Sequence, residues 1–506
     1  MGFDDPTSAL VAGPHPSSGR FWLESGMTSP TSSAGGEPEL ELTGAELRRL
    51  AGLALDRIGN FADTLPAQPA HGSGDPAAVA RALAEPAPES GAAFEDILEI
   101  VFGRAIQASY NTAGPGYLAY IPGGGLLQSA LADLIGDAVN RYVGVWLAAP
   151  GFVQLEANAI RWLCDIAGYP PLASGFFTSG GSLANFTAVV TARRALLPPE
   201  FLNGTLYCSD QAHHSVTKAA TLAGFPEERV REVPTDPAFR IRLDALASAI
   251  AADRRAGRAP FLIVGNGGTT NTGAVDDLDA LAELAAREGC WLHVDAAYGG
   301  FFLLTERGRR ALRGIHRADS ITLDPHKGLF LPYGTGCLLV RDATTLRRAH
   351  ALSADYLPAM QQASDLVDFC QISPELSRPP RGLRVWLPIK LHGLKAFREA
   401  LDEKLDLAAW AAGELRGIPG LVIVAEPQLS TVAFRLEREG ATDGELNRIN
   451  RVLLERINAR RRVFLTGTTV RGRFILRICV LSFRTHQDRM HQALEDIRAA
   501  VRETPA

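Results

Sequence analysis

Asp324-Pro325-His326-Lys327, placed downstream of His293-Val294-Asp295-Ala296-Ala297-Tyr298, is the pair of stretches whose reading decides the fold. Each follows a short apolar run, Trp291 to Val294 and Ser320 to Leu323, of the kind that forms a buried strand. In an open α/β sheet the carboxyl ends of the strands line the binding crevice, so Asp295 and Lys327 are expected at one pocket. The 32 positions between them fit one helix and one strand. A carboxylate closing a buried strand needs a cationic partner, either an arginine or a protonated ring nitrogen. The lysine stands out by rarity: only Lys218, Lys327, Lys390, Lys395 and Lys404 occur, and arginine supplies nearly all other positive charge. A lysine in a Gly- and Pro-bounded apolar stretch points to amine chemistry, because a guanidinium does not deprotonate to attack an aldehyde.

Outward from these strands, helical segments alternate with short runs at Phe176 to Thr178, Thr205 to Ser209, Phe261 to Val264 and Thr335 to Val340. That alternation predicts an α/β fold with a mostly parallel, doubly wound sheet. Beyond about residue 397 the order becomes helix, strand (421–424), strand (431–436), helix (445–461), strand (474–480) and a last helix (486–502). It predicts a smaller α+β domain. Upstream, Leu47, Leu50, Ala54 and Ile58, then Phe94, Ile97, Leu98, Val101 and Ala105, recur at helical spacing around a Pro/Gly/Ala-rich linker at 66–92. The expected divisions are a disordered tail (1–38), an N-terminal helical arm with a substrate-side segment (39–126), a large domain (127–397) and a small C-terminal domain (398–506).

Composition narrows the function classes. The 506 residues are 46% hydrophobic and 21% charged, with a formal net charge of −5, so no basic footprint for nucleic acid is present. No apolar run approaches a membrane span, and the acidic N-terminus lacks the order of a signal peptide. The six cysteines, Cys164, Cys208, Cys290, Cys337, Cys370 and Cys479, form no CxxC pair. Reduced thiols in a cytoplasmic protein, with no metal, are expected.

Four further stretches carry chemistry. Thr178-Ser179-Gly180-Gly181-Ser182 follows a strand and precedes a helical run. Its glycines admit an anion to the backbone, and the helix start offers unpaired N–H groups. His213, in Ser209-Asp210-Gln211-Ala212-His213, lies just beyond another strand, where an imidazole can stack on a flat ligand. Thr269-Thr270 lies in a Gly/Asn-rich turn, and its hydroxyls serve either a ligand or the turn. His326, beside the lysine, is placed to hold either a phosphate or the lysine's Schiff base. An amine, a ring-nitrogen acid partner and a phosphate turn together are what pyridoxal 5'-phosphate (PLP) requires.

On these residues the chain resembles the group II PLP-dependent amino-acid decarboxylases, the family of aromatic-L-amino-acid and glutamate decarboxylases, on the aspartate-aminotransferase-type fold (fold type I) with its seven-stranded sheet. The likeness runs from about Pro115 to the C-terminal helix. Pro115 to Pro122, Trp146-Leu147-Ala148-Ala149-Pro150 and Gln154-Leu155-Glu156 are similar to the aromatic branch's substrate-side segments. The resemblance implies that Lys327 carries the cofactor as a Schiff base, Asp295 pairs with the pyridine nitrogen and His213 stacks on the ring. Ala297 packs against the opposite face, and Gly180, Gly181 and Ser182 hold the phosphate with help from His326 or Thr270. It implies a substrate side built from Tyr120, Pro122, Gly123, Gly144 and Trp146, and a homodimer with active sites at the subunit interface and swapped N-terminal helices.

Four departures from the family pattern are visible. Asp324 stands where the family often has Asn. Gly123 and Gly144 replace larger residues, which is expected to loosen the pocket. Between Ala354 and Pro374 the chain resembles the family's mobile loop, whose tyrosine reprotonates the carbanion, and one alignment puts Phe369 there. A different alignment leaves Tyr356 or a water as donor, with His213 also at hand. The expected reaction is decarboxylation of an L-amino acid, aromatic by resemblance, to amine and CO2. The alternatives are decarboxylation-dependent oxidative deamination to an aldehyde, if Phe369 is the loop residue, and a non-catalytic PLP-fold binding protein.

Overall fold

The computed structural model describes residues 40–72, 74–351, 360, 363, 365–371 and onward to 504. The tail at 1–38 and Tyr356 lie outside the described residues. The chain divides into two compact units, Met1–Leu55 and Asp56–Ala506. In the first, Thr43 and Glu46 cap the start of the helix Gly44–Thr64 reciprocally: Glu46 N–H donates to Thr43 Oγ1 at 3.2 Å and Thr43 N–H to Glu46 Oε2 at 3.1 Å.

The second unit is built on a seven-stranded sheet of β1 Ser174–Thr178, β2 Gly204–Ser209, β3 Val230–Val233, β4 Ala259–Asn266, β5 Trp291–Asp295, β6 Ser320–Leu323 and β7 Gly336–Val340. Their order is β1-β7-β6-β5-β4-β2-β3. Only β7 runs against its neighbours; the other pairings are parallel. Both faces are covered, as a parallel sheet requires. Phe177, Tyr207, Ile263, Leu292 and Ile321 point into one apolar core, while Phe176, Leu206, Leu262 and Leu338 point into the other. This period-two split is why the strands read as continuous apolar runs.

A four-stranded antiparallel sheet forms the C-terminal part, with β8 Leu421–Ala425, β9 Thr431–Leu436, β10 Thr466–Val470 and β11 Arg473–Cys479 in the order β10-β11-β9-β8. Its apolar face packs with the helices Asp443–Ala459 and Gln487–Glu503. The helix Arg381–Arg416 joins the two sheets and breaks at Gly393, whose φ is 68°. The boundary expected at 397 falls inside it. The 66–92 linker contains a helix, Pro76–Leu83, started by Asp75 accepting from Ala77 N–H at 2.9 Å and by Pro76 at the first position. All six cysteines are free thiols. Among the described residues no helix is long and apolar enough to cross a membrane.

Candidate active site

A cavity of about 320 Å³ opens at the carboxyl ends of β1, β2, β4, β5 and β6. It is lined by every residue expected on the cofactor side: Gly180, Gly181, Ser182, His213, Thr270, Asp295, Ala297, His326 and Lys327. β5 and β6 are adjacent and parallel, with Asp295 paired to Thr322 in register. Asp295 therefore ends one strand beside the turn Pro325–Gly328 that carries Lys327.

Asp295 is buried and accepts hydrogen bonds from Asn185 Nδ2 at 2.9 Å and Ala297 N–H at 3.2 Å. Among the described residues it forms no ion pair, so the arginine alternative is not realised. A buried carboxylate left with neutral donors fits a protonated pyridine nitrogen. Behind it runs a polar network that the sequence did not announce. Asn185 Oδ1 accepts from Thr322 Oγ1 at 2.7 Å and lies 3.0 Å from His293 Nε2. His293 Nδ1 lies 2.8 Å from Ser320 Oγ, to which Trp291 Nε1 also donates. Burial pushes the His293 imidazole down to about 4, so it stays neutral. Asn185 sits on the helix Gly181–Leu196, and a polar residue there looks like any solvent-side position until the helix is laid on the sheet.

The same asparagine reaches the other side of the cavity. Its Nδ2 donates to Ser215 Oγ at 2.9 Å, and Ser215 Oγ lies 2.7 Å from His213 Nδ1. Ser215 N–H also donates to that nitrogen, which fixes His213 with Nδ1 as acceptor and Nε2 as the protonated position. Burial lowers the His213 pKa from its ordinary value, opposed by Asp295. One side chain thus ties the ring-nitrogen partner to the stacking residue.

The anion turn is shaped by neighbours. Thr178 Oγ1 accepts from Gly180 N–H at 3.3 Å. A methyl on Gly181 would lie 3.0 Å from Asp324 Oδ2 and 3.3 Å from Ala297 Cβ, so only glycine lets the helix start approach β5 and β6 this closely. His326 stands opposite, its Nδ1 donating to the Thr335 carbonyl at 2.6 Å. Both threonines line the cavity, but Thr269 Oγ1 is also engaged inside its turn with Thr272 and Ala274.

The pyridoxal-dependent decarboxylase conserved domain matches residues 76–437. The chain belongs to this family. Aromatic-L-amino-acid decarboxylase of Bacillus atrophaeus is 35% identical over 466 residues, which is 92% of this chain and 97% of the relative. The fold is similar to that of Oryza sativa TDC solved with PLP and tryptamine, at a TM-score of 0.87 and 27% identity, covering 92% of this chain and 99% of that one. It is likewise similar to Catharanthus roseus tryptophan decarboxylase in complex with L-tryptophan, at a TM-score of 0.85 and 26% identity, covering 92% and 99%. The protein is a group II decarboxylase, a carboxy-lyase that uses PLP, on fold type I.

In this decarboxylase the substrate-side residues do not line the cavity of the single chain. Gly123 packs onto the backbone of the lysine turn, where any side chain would strike the His326 carbonyl oxygen. A side chain at Gly144 would strike the Leu376 carbonyl and the Tyr142 hydroxyl. Neither glycine loosens the pocket, contrary to expectation; both permit close backbone contact. Tyr120 has a φ of 53° and is exposed, in the turn that leads through Pro122 to Gly123. Trp146 N–H donates to Asp368 Oδ1 at 2.7 Å, and Gly144 O accepts from Cys370 N–H at 2.9 Å. That contact carries the decarboxylase's Phe369 into the core: it is 1% exposed, packed in the cluster of Val143, Ala149 and Val153, with the Arg378 guanidinium 4.5 Å from its ring. Phe369 does not line the cavity of the single chain. Two arginines near the cavity are held by the protein itself. Arg384 binds Asp133 at 2.6 Å, and Arg477 binds the Thr270 carbonyl at 2.5 Å.

Proposed function

We propose that the protein decarboxylates an aromatic L-amino acid to its amine and CO2. The carrying observation is the convergence of Lys327, Asp295 and His213 on one cavity with a glycine-lined helix start. Bound there, PLP supplies an electron sink for the pair left at Cα when CO2 departs. Lys327 would hold the cofactor through its Nζ, which lines the cavity beside Asp324. Asp295, supported by Asn185, would keep a proton on the ring nitrogen of a bound cofactor. His213, fixed by Ser215, would stack on the ring and orient the substrate carboxylate. Gly180, Gly181, Ser182, Thr270 and His326 hold the phosphate. Among the described residues no arginine lines the cavity of the single chain, which favours a substrate without a second carboxylate.

The active unit in this reading is a homodimer. The helix Leu127–Val139 buries Ser129, Ala132 and Gly136, yet leaves Leu127, Leu131, Leu134, Ile135 and Val139 exposed along one stripe. A second copy covering that stripe also gives Tyr120, Pro122, Gly144 and Trp146 an interface to serve. The experiment feeds the PLP-loaded protein mixed L-amino acids and follows CO2, O2, amine and aldehyde together. Equal CO2 and amine without O2 uptake is expected; aldehyde with peroxide replaces this reading by oxidative deamination. Borohydride trapping with peptide mapping is expected to find the cofactor on Lys327, and an adduct elsewhere sinks the assignment.

A further inference from the structure

Asp324 is the one charged group of the cavity that the reading above leaves without work. Its side chain is 3% exposed. Oδ2 lies 3.0 Å from Lys327 Nζ and 3.6 Å from His326 Nε2, while Oδ1 is buried with no hydrogen-bond partner. An aspartate directly before a Pro-started helical turn ordinarily caps it by accepting a backbone N–H, yet Asp324 makes no such bond. The carboxylate is instead turned toward the lysine amine and the start of the helix Gly181–Leu196, where a methyl on Gly181 would sit 3.0 and 3.2 Å from its two oxygens. The titratable and charged groups around it are Lys327 and His326 on its own turn, His213 and Asp295 across the cavity, Cys337 on β7, and Arg384 beside His326. His326 directs its Nδ1 proton to the Thr335 carbonyl, so Asp324 is the acceptor in contact with Nζ.

We propose that Asp324 is a catalytic base that arms Lys327 for capture of the cofactor aldehyde. This rests on the reading of Lys327 as the Schiff-base lysine. An ammonium has no lone pair to attack a carbonyl carbon, and a carboxylate within hydrogen-bond reach is placed to relieve it of one proton. The proton passes from Nζ to Oδ2, and the free amine forms the bond to the aldehyde carbon. The aldehyde oxygen leaves as water with the two remaining Nζ protons. The proton on Oδ2 then returns to nitrogen, leaving a protonated carbon–nitrogen double bond. The sum is ammonium plus aldehyde giving iminium plus water, and the carboxylate is restored.

The test compares full-length wild type, D324N and D324E, each stripped of cofactor and remixed with PLP, following the Schiff-base absorbance from pH 6 to 9. D324N is expected to capture PLP at least about 100-fold more slowly near neutral pH. Its rate is expected to climb with pH as solvent base takes over, and D324E to recover part of the loss. Affinity for pyridoxine 5'-phosphate, which has no aldehyde, is measured alongside and is expected to be retained in D324N. Capture by D324N at the wild-type rate and pH profile overturns the proposal. So does loss of pyridoxine phosphate binding, which makes Asp324 a structural part of the anion turn. Failure of wild type itself to form an adduct on Lys327 instead overturns the reading beneath it.

Discussion

His293 and Asp295 stand two residues apart on β5, on the same side of the strand, and Asn185 bonds to both. Burial holds His293 neutral, with its pKa pushed down to about 4 from an ordinary value near 6.5. The folded state therefore binds fewer protons than the unfolded chain between these values. The stability this supplies is complete above pH 6.5 and is lost as pH falls toward 4. The urea midpoint is expected to fall across that window and to fall less steeply in His293→Gln; identical slopes refute the assignment. Asn185→Leu removes a donor from Asp295 and from Ser215 at once, and is expected to cut turnover about 100-fold while Lys327 still traps PLP. Unchanged turnover shows the network to be idle. The proton donor is a residue-scale question too. The stretch 354–374 contains one phenol, Tyr356, and Phe369 is enclosed beneath Arg378. Tyr356→Phe is expected to divert product to aldehyde and peroxide, whereas Phe369→Tyr leaves amine as the product. Aldehyde from the wild type, shifted toward amine by Phe369→Tyr, instead returns that residue to the chemistry.

Among the elements, the turn at 120–125 shows what a sequence hides. Gly123 reads as room for a larger substrate, but it is where the backbone touches the carbonyl of His326, and Gly124 and Gly125 have φ of 90° and 71°. Arg484 anchors the turn by donating to the carbonyls of Ala113 and Gly124. Gly123→Ala is expected to push the lysine turn, costing about 1–3 kcal/mol of stability and lowering PLP occupancy. A variant with a wider substrate range and unchanged denaturation midpoint contradicts this. The strands at the cavity were legible because each is a short, buried, mostly β-branched or aromatic run that leads into a chemically distinctive residue. β3, Val-Arg-Glu-Val, and β10, Thr-Gly-Thr-Thr-Val, were not, because edge strands carry polar side chains and lack that signature. β3 is held partly by the Arg231–Asp253 pair at 2.5 Å, a contact between residues 22 apart that no local pattern reveals. For the same reason the sequence exposed Lys327 and Asp295 but not Asn185, whose partners lie 30 to 137 residues away.

At the scale of the whole molecule, the single chain presents a finished cofactor cavity and an unfinished apolar surface. The helix Leu127–Val139 packs one side against the helix Arg381–Arg416, through Ser129 Oγ on the Arg384 carbonyl and Gly136 facing Pro380. Its other side leaves Leu131 and Leu134 about half exposed, at 49% and 53%. Leaving such a stripe in water is unfavourable by roughly 25 cal/mol for each Å² of apolar surface, so covering it with a second copy favours association. Glutamates at both positions place two carboxylates where the partner's apolar surface is expected, and burying them unpaired is costlier than giving up the interface. Leu131→Glu with Leu134→Glu is therefore expected to shift the protein from dimer to monomer in sedimentation velocity, with far-UV circular dichroism unchanged because neither residue supports the fold of its own chain. The monomer is expected to bind PLP, since the cavity of one chain supplies those contacts, and to decarboxylate poorly, since Tyr120, Pro122, Gly144 and Trp146 lie outside that cavity. A double variant that stays dimeric places the interface elsewhere. One that becomes monomeric with full turnover shows that a single chain completes the substrate site.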